Sequence, residues 1–123
     1  LKSEYGEPGA PIAIVVETLA DGAQLVLVRG EVDLSTAPYL QEALDDVARG
    51  TNHDVLVELS ADFIDSTGLH VLIRAAQRLR AIGRLLRVTT ENPHIQSVIE
   101  ITGLTEELCL GARDATSNEP SLP

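Results

Sequence analysis

Asp65, Ser66, Thr67 and Gly68 stand in succession between an apolar pair, Phe63-Ile64, and a helical pattern that starts at Leu69, with His70 close behind. Serine, histidine and aspartate are the parts of a hydrolase: nucleophile, base and orienting carboxylate. On a helix Ser66 and His70, four apart, would share a face. The spacing argues against that chemistry. A nucleophile elbow requires Gly-x-Ser-x-Gly, and the first glycine position here holds Ile64, whose branched Cβ opposes the sharp turn. The aspartic-protease triplet Asp-Ser/Thr-Gly is one residue shorter than this run, and the chain has no partner copy. His53, His70 and His94 lie on separate segments without ligand spacing, so no metal is expected. No phosphate-binding loop or dinucleotide fingerprint occurs, so no cofactor is expected either. The plainest role for Ser66 is a helix N-cap, with Gly68 easing the tight entry. That role needs one oxygen, and it leaves Asp65, Ser66 and Thr67 in a row unexplained.

A second loaded segment runs from Gly30 to Thr36 and contains Asp33. Two strands precede it, 12–16 and 25–29, joined by a turn at Asp21-Gly22, which predicts an antiparallel hairpin. Ser35 and Thr36 are N-cap candidates for a helix whose apolar stripe is Leu40, Ala43, Leu44, Val47 and Ala48, stopped by Gly50, with Glu42, Asp45 and Asp46 on the other face. A buried strand at 55–59 leads to the Asp65 segment. Leu69, Leu72, Ile73, Ala76 and Leu79 then form a second stripe, closed by Gly83. Residues 85–90 read as a strand, and Asn92 caps a third helix with Pro93 at its first position. Ile95, Val98 and Ile99 face inward on that helix, Gly103 closes it, and 108–110 read as a last short strand. The alternation predicts an α/β fold, a mixed sheet of about four to five strands covered by about three to four helices. Residues 1–11 read as a flexible lead-in, 12–110 as the domain and 111–123 as a polar tail. Function in such folds sits in loops at the carboxyl ends of the strands, and if the strands before the two loaded loops are neighbours, Asp33 lies near Ser66.

Composition narrows the partners. The chain has 123 residues, 44% hydrophobic but 2% aromatic, so Val, Leu, Ile and Ala must build its core. A net charge of −10 disfavours nucleic acid and anionic membrane, leaving a basic or mixed protein surface as the natural partner. The single cysteine, Cys109, excludes an intrachain disulfide and reads as a small buried hydrophobe, although an exposed thiol there could join two chains. No run is apolar enough to span a membrane and the opening LKSEYGEPGAP is no signal peptide, so a cytoplasmic location is expected. Five of the nine basic residues, Arg74, Arg78, Arg80, Arg84 and Arg87, fall on or just after the second helix and read as a solvated face.

Three ordered blocks, 30-GEVDLSTAP-38, 58-ELSADFIDSTGLHVL-72 and 95-IQSVIEITGL-104, together resemble bacterial STAS domains of the anti-anti-sigma type over roughly residues 12 to 110. The resemblance implies a STAS-like sheet-and-helix domain without enzymatic activity. Unphosphorylated, such a domain captures an anti-sigma factor that is also a serine kinase and frees the sigma factor; phosphorylation breaks the complex and a serine phosphatase resets it. By motif position the acceptor is Ser66, with Thr67 a minor candidate. The docking surface expected from the resemblance comprises Asp33, Ser35, Thr36, Asp65, Ser66, Thr67 and Gly68. Many family members end in a helix beside the first helix, whereas ARDATSNEPSLP has weak helical periodicity, which bears on dimerisation; a weak homodimer is the expected self-association. The alternative within the same fold is a constitutive adaptor or scaffold subunit of a stress-sensing or transporter assembly.

Overall fold

The computed structural model describes residues 2–7, 9–50, 52–101 and 110–111. The chain order is β1 (Lys2–Tyr5), β2 (Ile12–Thr18), β3 (Gln24–Val32), α1 (Ala37–Gly50), β4 (Val55–Ile64), α2 (Ser66–Ala81), β5 (Leu86–Thr89), α3 (Pro93–Ile101) and β6 (Leu110–Gly111). The strands lie in one sheet in their order along the chain. β1, β2 and β3 pair antiparallel, and β3, β4, β5 and β6 pair parallel. The hairpin turn is held where the Asp21-Gly22 pair predicts it: the Ala23 amide donates to Asp21 Oδ1 at 2.9 Å and the Leu19 amide to the Ala23 carbonyl at 2.8 Å. Parallel neighbours need a crossover, and α1 and α2 supply it between β3 and β4 and between β4 and β5.

Period-2 alternation decides which face is covered. Ile14 and Val16 of β2, Val26 and Val28 of β3, Val57 and Leu59 of β4 and Val88 of β5 are buried with Leu40, Ala43, Leu44 and Val47 of α1 and Leu69, Leu72, Ala76 and Leu79 of α2. Each fully buried Leu or Val side chain contributes roughly 1.5–3 kcal/mol, so this aliphatic layer builds the core of a chain with only three aromatic residues. α1 and α2 are further joined by an ion pair, Arg78 Nη1 to Asp45 Oδ1 at 2.8 Å. One member of the exposed arginine series thereby reaches α1.

Two boundaries differ from expectation. Lys2–Tyr5, expected as a flexible lead-in, pairs with β2 from Lys2 opposite Glu17 to Tyr5 opposite Ile14. Tyr5 holds it down: its hydroxyl donates to Asp46 Oδ2 of α1 at 2.7 Å, a long-range partner that local polarity does not reveal. Among the described residues the sheet therefore has six strands. β4 also runs beyond the expected 55–59, because Glu58, Ser60 and Asp62 alternate outward while the chain continues extended. The last strand is Leu110–Gly111. The expected Gly103 stop, Cys109 and the tail beyond Gly111 lie outside the described residues.

Candidate functional site

The sequential strand order brings the loops after β3, β4 and β5 side by side at one end of the sheet. Val32 pairs with Ile64 in the β3–β4 register, and the Asp65 amide donates to the Val32 carbonyl at 3.0 Å. Asp33, directly after Val32, and Ser66, just past Asp65, are thus brought to the same edge, as neighbouring strands require.

The register contains a shift that shapes this edge. Gly30 pairs with Ala61 but Glu31 pairs with Phe63, so Asp62 is an extra residue on β4, a β-bulge. Up to Ala61 the odd-numbered residues of β4 face the helices. After the bulge the phase flips: Ile64 is 4% exposed and Phe63 is 44% exposed. Gly30, opposite the bulge, has φ of +100° and a Cβ there would sit 2.2 Å from the Pro11 carbonyl oxygen, so only glycine fits. Gly68 is required for a different reason: a Cβ would lie 2.6 Å from Val32 Cγ1 and 2.8 Å from Ile64 Cγ1. Its bareness lets the first turn of α2 press against the ends of β3 and β4.

The loop after β3 is closed on itself. Asp33 Oδ1 accepts from the Ser35 hydroxyl at 2.8 Å, the Ser35 amide at 3.0 Å and the Thr36 amide at 3.1 Å. The Ser35 hydroxyl bond, reinforced by the Thr36 and Ser35 amides and opposed by desolvation, holds the Asp33 carboxyl below its ordinary range. Thr36 is buried, donates from Oγ1 to the Glu31 carbonyl at 2.7 Å and accepts from the Asp33 amide at 2.9 Å. Ser35 and Thr36 therefore do not cap α1 as expected; the Asp33 side chain gathers the turn, and Thr36 reaches back to the carbonyl beside the bulge.

The loop after β4 begins in the same way but ends differently. Asp65, not Ser66, is the N-cap of α2: it is extended, and its Oδ1 accepts from the Gly68 amide at 3.1 Å. Ser66 thus falls at the first helical position with its side chain exposed, and among the described residues none hydrogen-bonds its hydroxyl. Thr67 is half-buried and Gly68 buried. His70 is exposed on the next turn, and among the described residues no hydrogen bond joins it to Ser66.

A third loop joins the edge that sequence reading does not assign to the site. Asn92 caps α3 as predicted, accepting from the His94 amide at 2.9 Å, but its Nδ2 also donates to the Ala61 carbonyl at 3.1 Å. It braces β4 at the bulge, one residue before Asp62. Gln96 Nε2 donates to the Thr90 carbonyl at 2.7 Å and fixes the turn from the other side. The only sequence signal for this role is the Asn-Pro cap itself, which says nothing of a partner 31 residues away.

The pattern of the STAS domain family matches residues 15–118. The chain belongs to the STAS domain family. Its relatives include an anti-sigma-B factor antagonist of Staphylococcus epidermidis, 32% identical over 93 residues, a match covering 74% of this chain and 86% of the relative. Among solved structures it is similar to an anti-sigma factor antagonist from Mycobacterium paratuberculosis, with a TM-score of 0.77 at 31% identity over 88% of this chain and 95% of the other. The fold is also that of the anti-sigma factor antagonist SpoIIAA in its unphosphorylated form, TM-score 0.66 at 14% identity over 85% and 92% of the two chains. The phosphorylated form of that Bacillus cell-fate determinant superposes at a TM-score of 0.61, 15% identity, over 85% and 96%. In this STAS domain the mixed sheet carries α1 and α2 on one face and gathers its three loaded loops at one end. No helix among the described residues is long and apolar enough to cross a membrane.

Proposed function

We propose that this STAS domain is a cytoplasmic, non-enzymatic anti-sigma factor antagonist: it binds a serine kinase-type anti-sigma factor, releases the sigma factor, and is switched off by phosphorylation of Ser66. The observation that carries the site assignment is the free Ser66 hydroxyl at the first position of α2, presented by a cap that Asp65 supplies. Its neighbours are less available, since Thr67 is half-buried and Ser35 is bonded to Asp33. The names of the relatives support the partner class, and the three-loop edge supplies the docking surface, with Asp33, Thr36 and Gly68 shaping it and Asp65 and Ser66 presented on it.

Phosphoryl transfer forms an Oγ–P bond at Ser66 as the bond between the β- and γ-phosphates of ATP breaks, with the hydroxyl proton passing to a base of the kinase and ADP leaving. The domain tolerates the product. A helix N-terminus favours added negative charge by up to ~2 kcal/mol, which offsets the repulsion from Asp65. The complex does not, because the acceptor must face the nucleotide, and phosphoserine then confronts the remaining phosphates. At ~6 Å and an effective dielectric of ~20 each pair of like unit charges costs roughly 3 kcal/mol, about a hundredfold in affinity. A serine phosphatase removes the charge and restores docking.

The test is intact-mass spectrometry of the protein incubated with ATP and each purified serine kinase-type anti-sigma factor of its host, beside Ser66→Ala. One phosphate on wild type and none on the variant is the expected result. Phosphate on Ser66→Ala would move the site to Thr67 or elsewhere. Stable complexes with no phosphate under any kinase would replace the switch with a constitutive adaptor.

A further inference from the structure

Five large apolar side chains are exposed among the described residues, and two of them, Leu34 at 75% in the loop after β3 and Phe63 at 44% near the carboxyl end of β4, lie at the end of the sheet where Ser66 starts α2. Neither exposure is an accident of a loose end. Phe63 is turned outward by the bulge at Asp62, which puts Ile64 into the core in its place. Leu34 is the outward residue of a turn whose other members are tied down: Asp33 gathers Ser35 and Thr36, and Thr36 is buried against the Glu31 carbonyl. The bulge itself is braced from both sides, by Thr36 on Glu31 and by Asn92 on Ala61. A rigid frame that holds two apolar side chains in water forgoes the stability that burying them would give, and rigid, pre-positioned apolar side chains are what interfaces use as anchors.

Charge fixes the kind of partner. The segments 30–48, 61–73 and 89–101 contain no lysine or arginine, and their tips carry Glu31, Asp33, Asp62, Asp65 and Glu91. The matching surface is an apolar recess rimmed by lysine and arginine.

We infer that Leu34 and Phe63 are the apolar anchors by which this domain holds its anti-sigma partner, so that binding strength resides in these two side chains and the switch in Ser66. The inference rests on the functional reading above. It separates two roles of one surface: truncating the anchors weakens docking without touching the acceptor hydroxyl.

The experiment measures affinity and Ser66 phosphorylation for wild type, Leu34→Ala, Phe63→Ala, the double variant, the conservative pair Leu34→Met and Phe63→Leu, and Ile82→Ala, an exposed apolar residue at the opposite end of α2. The probes are the purified serine kinase-type anti-sigma factors of the host. Each alanine should weaken binding at least tenfold and raise the concentration for half-maximal phosphorylation to match, while the rate at saturation stays at the wild-type value. The conservative variants and Ile82→Ala should stay within about threefold of wild type. Added salt should slow association, as a rim of opposite charges requires. Wild-type binding that the alanine variants retain within twofold overturns the anchor assignment and leaves the functional reading standing. A loss shared equally by Ile82→Ala also overturns it, since that is a general effect. Wild type binding none of the kinases overturns both.

Discussion

Two loops at one edge of the sheet begin alike, Asp33-Leu34-Ser35-Thr36 and Asp65-Ser66-Thr67-Gly68, and both place an aspartate where a helix is about to start. In the first, the carboxylate draws in the Ser35 hydroxyl and two amides, and Thr36 is buried on the Glu31 carbonyl. In the second, the carboxylate takes the Gly68 amide and leaves the intervening serine free. The difference lies in the three residues after each aspartate. After Asp33 comes Leu34, which is left exposed, and the hydroxyls of Ser35 and Thr36 fold back onto the polar groups of the turn. A bare glycine three residues after Asp65 lets the helix start at once against Val32 and Ile64, so the serine between them stays at the surface. One aspartate makes a brace, the other makes a platform.

The sharpest way to break this comparison is to exchange the hydroxyls. Ser66→Ala should abolish phosphate uptake altogether whereas Ser35→Ala leaves it at one phosphate per chain, read by intact mass; a phosphate lost with Ser35 would show that the brace, not the platform, is modified. Ser66→Glu, which places one unit of charge on the platform, should weaken binding by up to about a hundredfold in titration calorimetry. Gly68→Val would push a branched side chain into Val32 and Ile64 and cost roughly 3 kcal/mol, seen as a lower midpoint in urea.

Smaller effects sharpen it further. Thr36→Val keeps the volume but orphans the Glu31 carbonyl and the Asp33 amide, and should cost about 2 kcal/mol. Asp65→Ala removes only the cap of α2 and should cost about 1 kcal/mol. If Asp65→Ala proves the more damaging of the two by urea melts, the assignment of brace and platform is reversed.

The pH dependences are the mildest tests. Tyr5 is pushed up to about 12, chiefly by burial and then by its bond to Asp46, so it is held protonated in the folded chain. Its contribution is complete below its ordinary value of about 10 and is lost as the pH rises to about 12. The stability difference between wild type and Tyr5→Phe should therefore narrow over that range. Asp33 shifts the other way: its contribution is present above the ordinary carboxylate range and lost as the pH falls through its lowered value. The difference between wild type and Asp33→Asn should begin to narrow as the pH falls below 3.8 and vanish only once the pH is below the lowered value.

How far the chain can be read without its structure depends on how local each signal is. The aliphatic strands, the stripe of Leu40, Leu44 and Val47, the Asp21-Gly22 turn and the Asn92-Pro93 cap all rest on contacts within a few residues, and all are found where periodicity places them. Ser66 is legible as a residue of interest for the same reason, because an aspartate, two hydroxyls and a glycine between a strand and a helix exceed what one cap needs. Its neighbours are harder to assign. That Asp65 rather than Ser66 supplies the cap, and that Asp33 rather than Ser35 or Thr36 gathers the turn before α1, depends on which of several adjacent oxygens reaches an amide. Spacing alone does not distinguish them.

The sequence by itself determined the order of elements from β2 to α3, the side of each helix that is buried and the segment proposed to carry the acceptor, because each is written in a period of two or 3.6 residues or in a short run of adjacent residues. Only the tertiary structure decided that β1 is a strand, that Asp62 is a bulge, that Phe63 faces water and that Asn92 braces the edge. Each of these depends on a partner far along the chain: Ile14 and Asp46 for β1, Glu31 for the bulge, Ala61 for Asn92. Alternation predicts that Phe63 points inward, and one extra residue in the register reverses it. Pairing across the sheet chooses the register, and the register chooses which side chains a partner can meet.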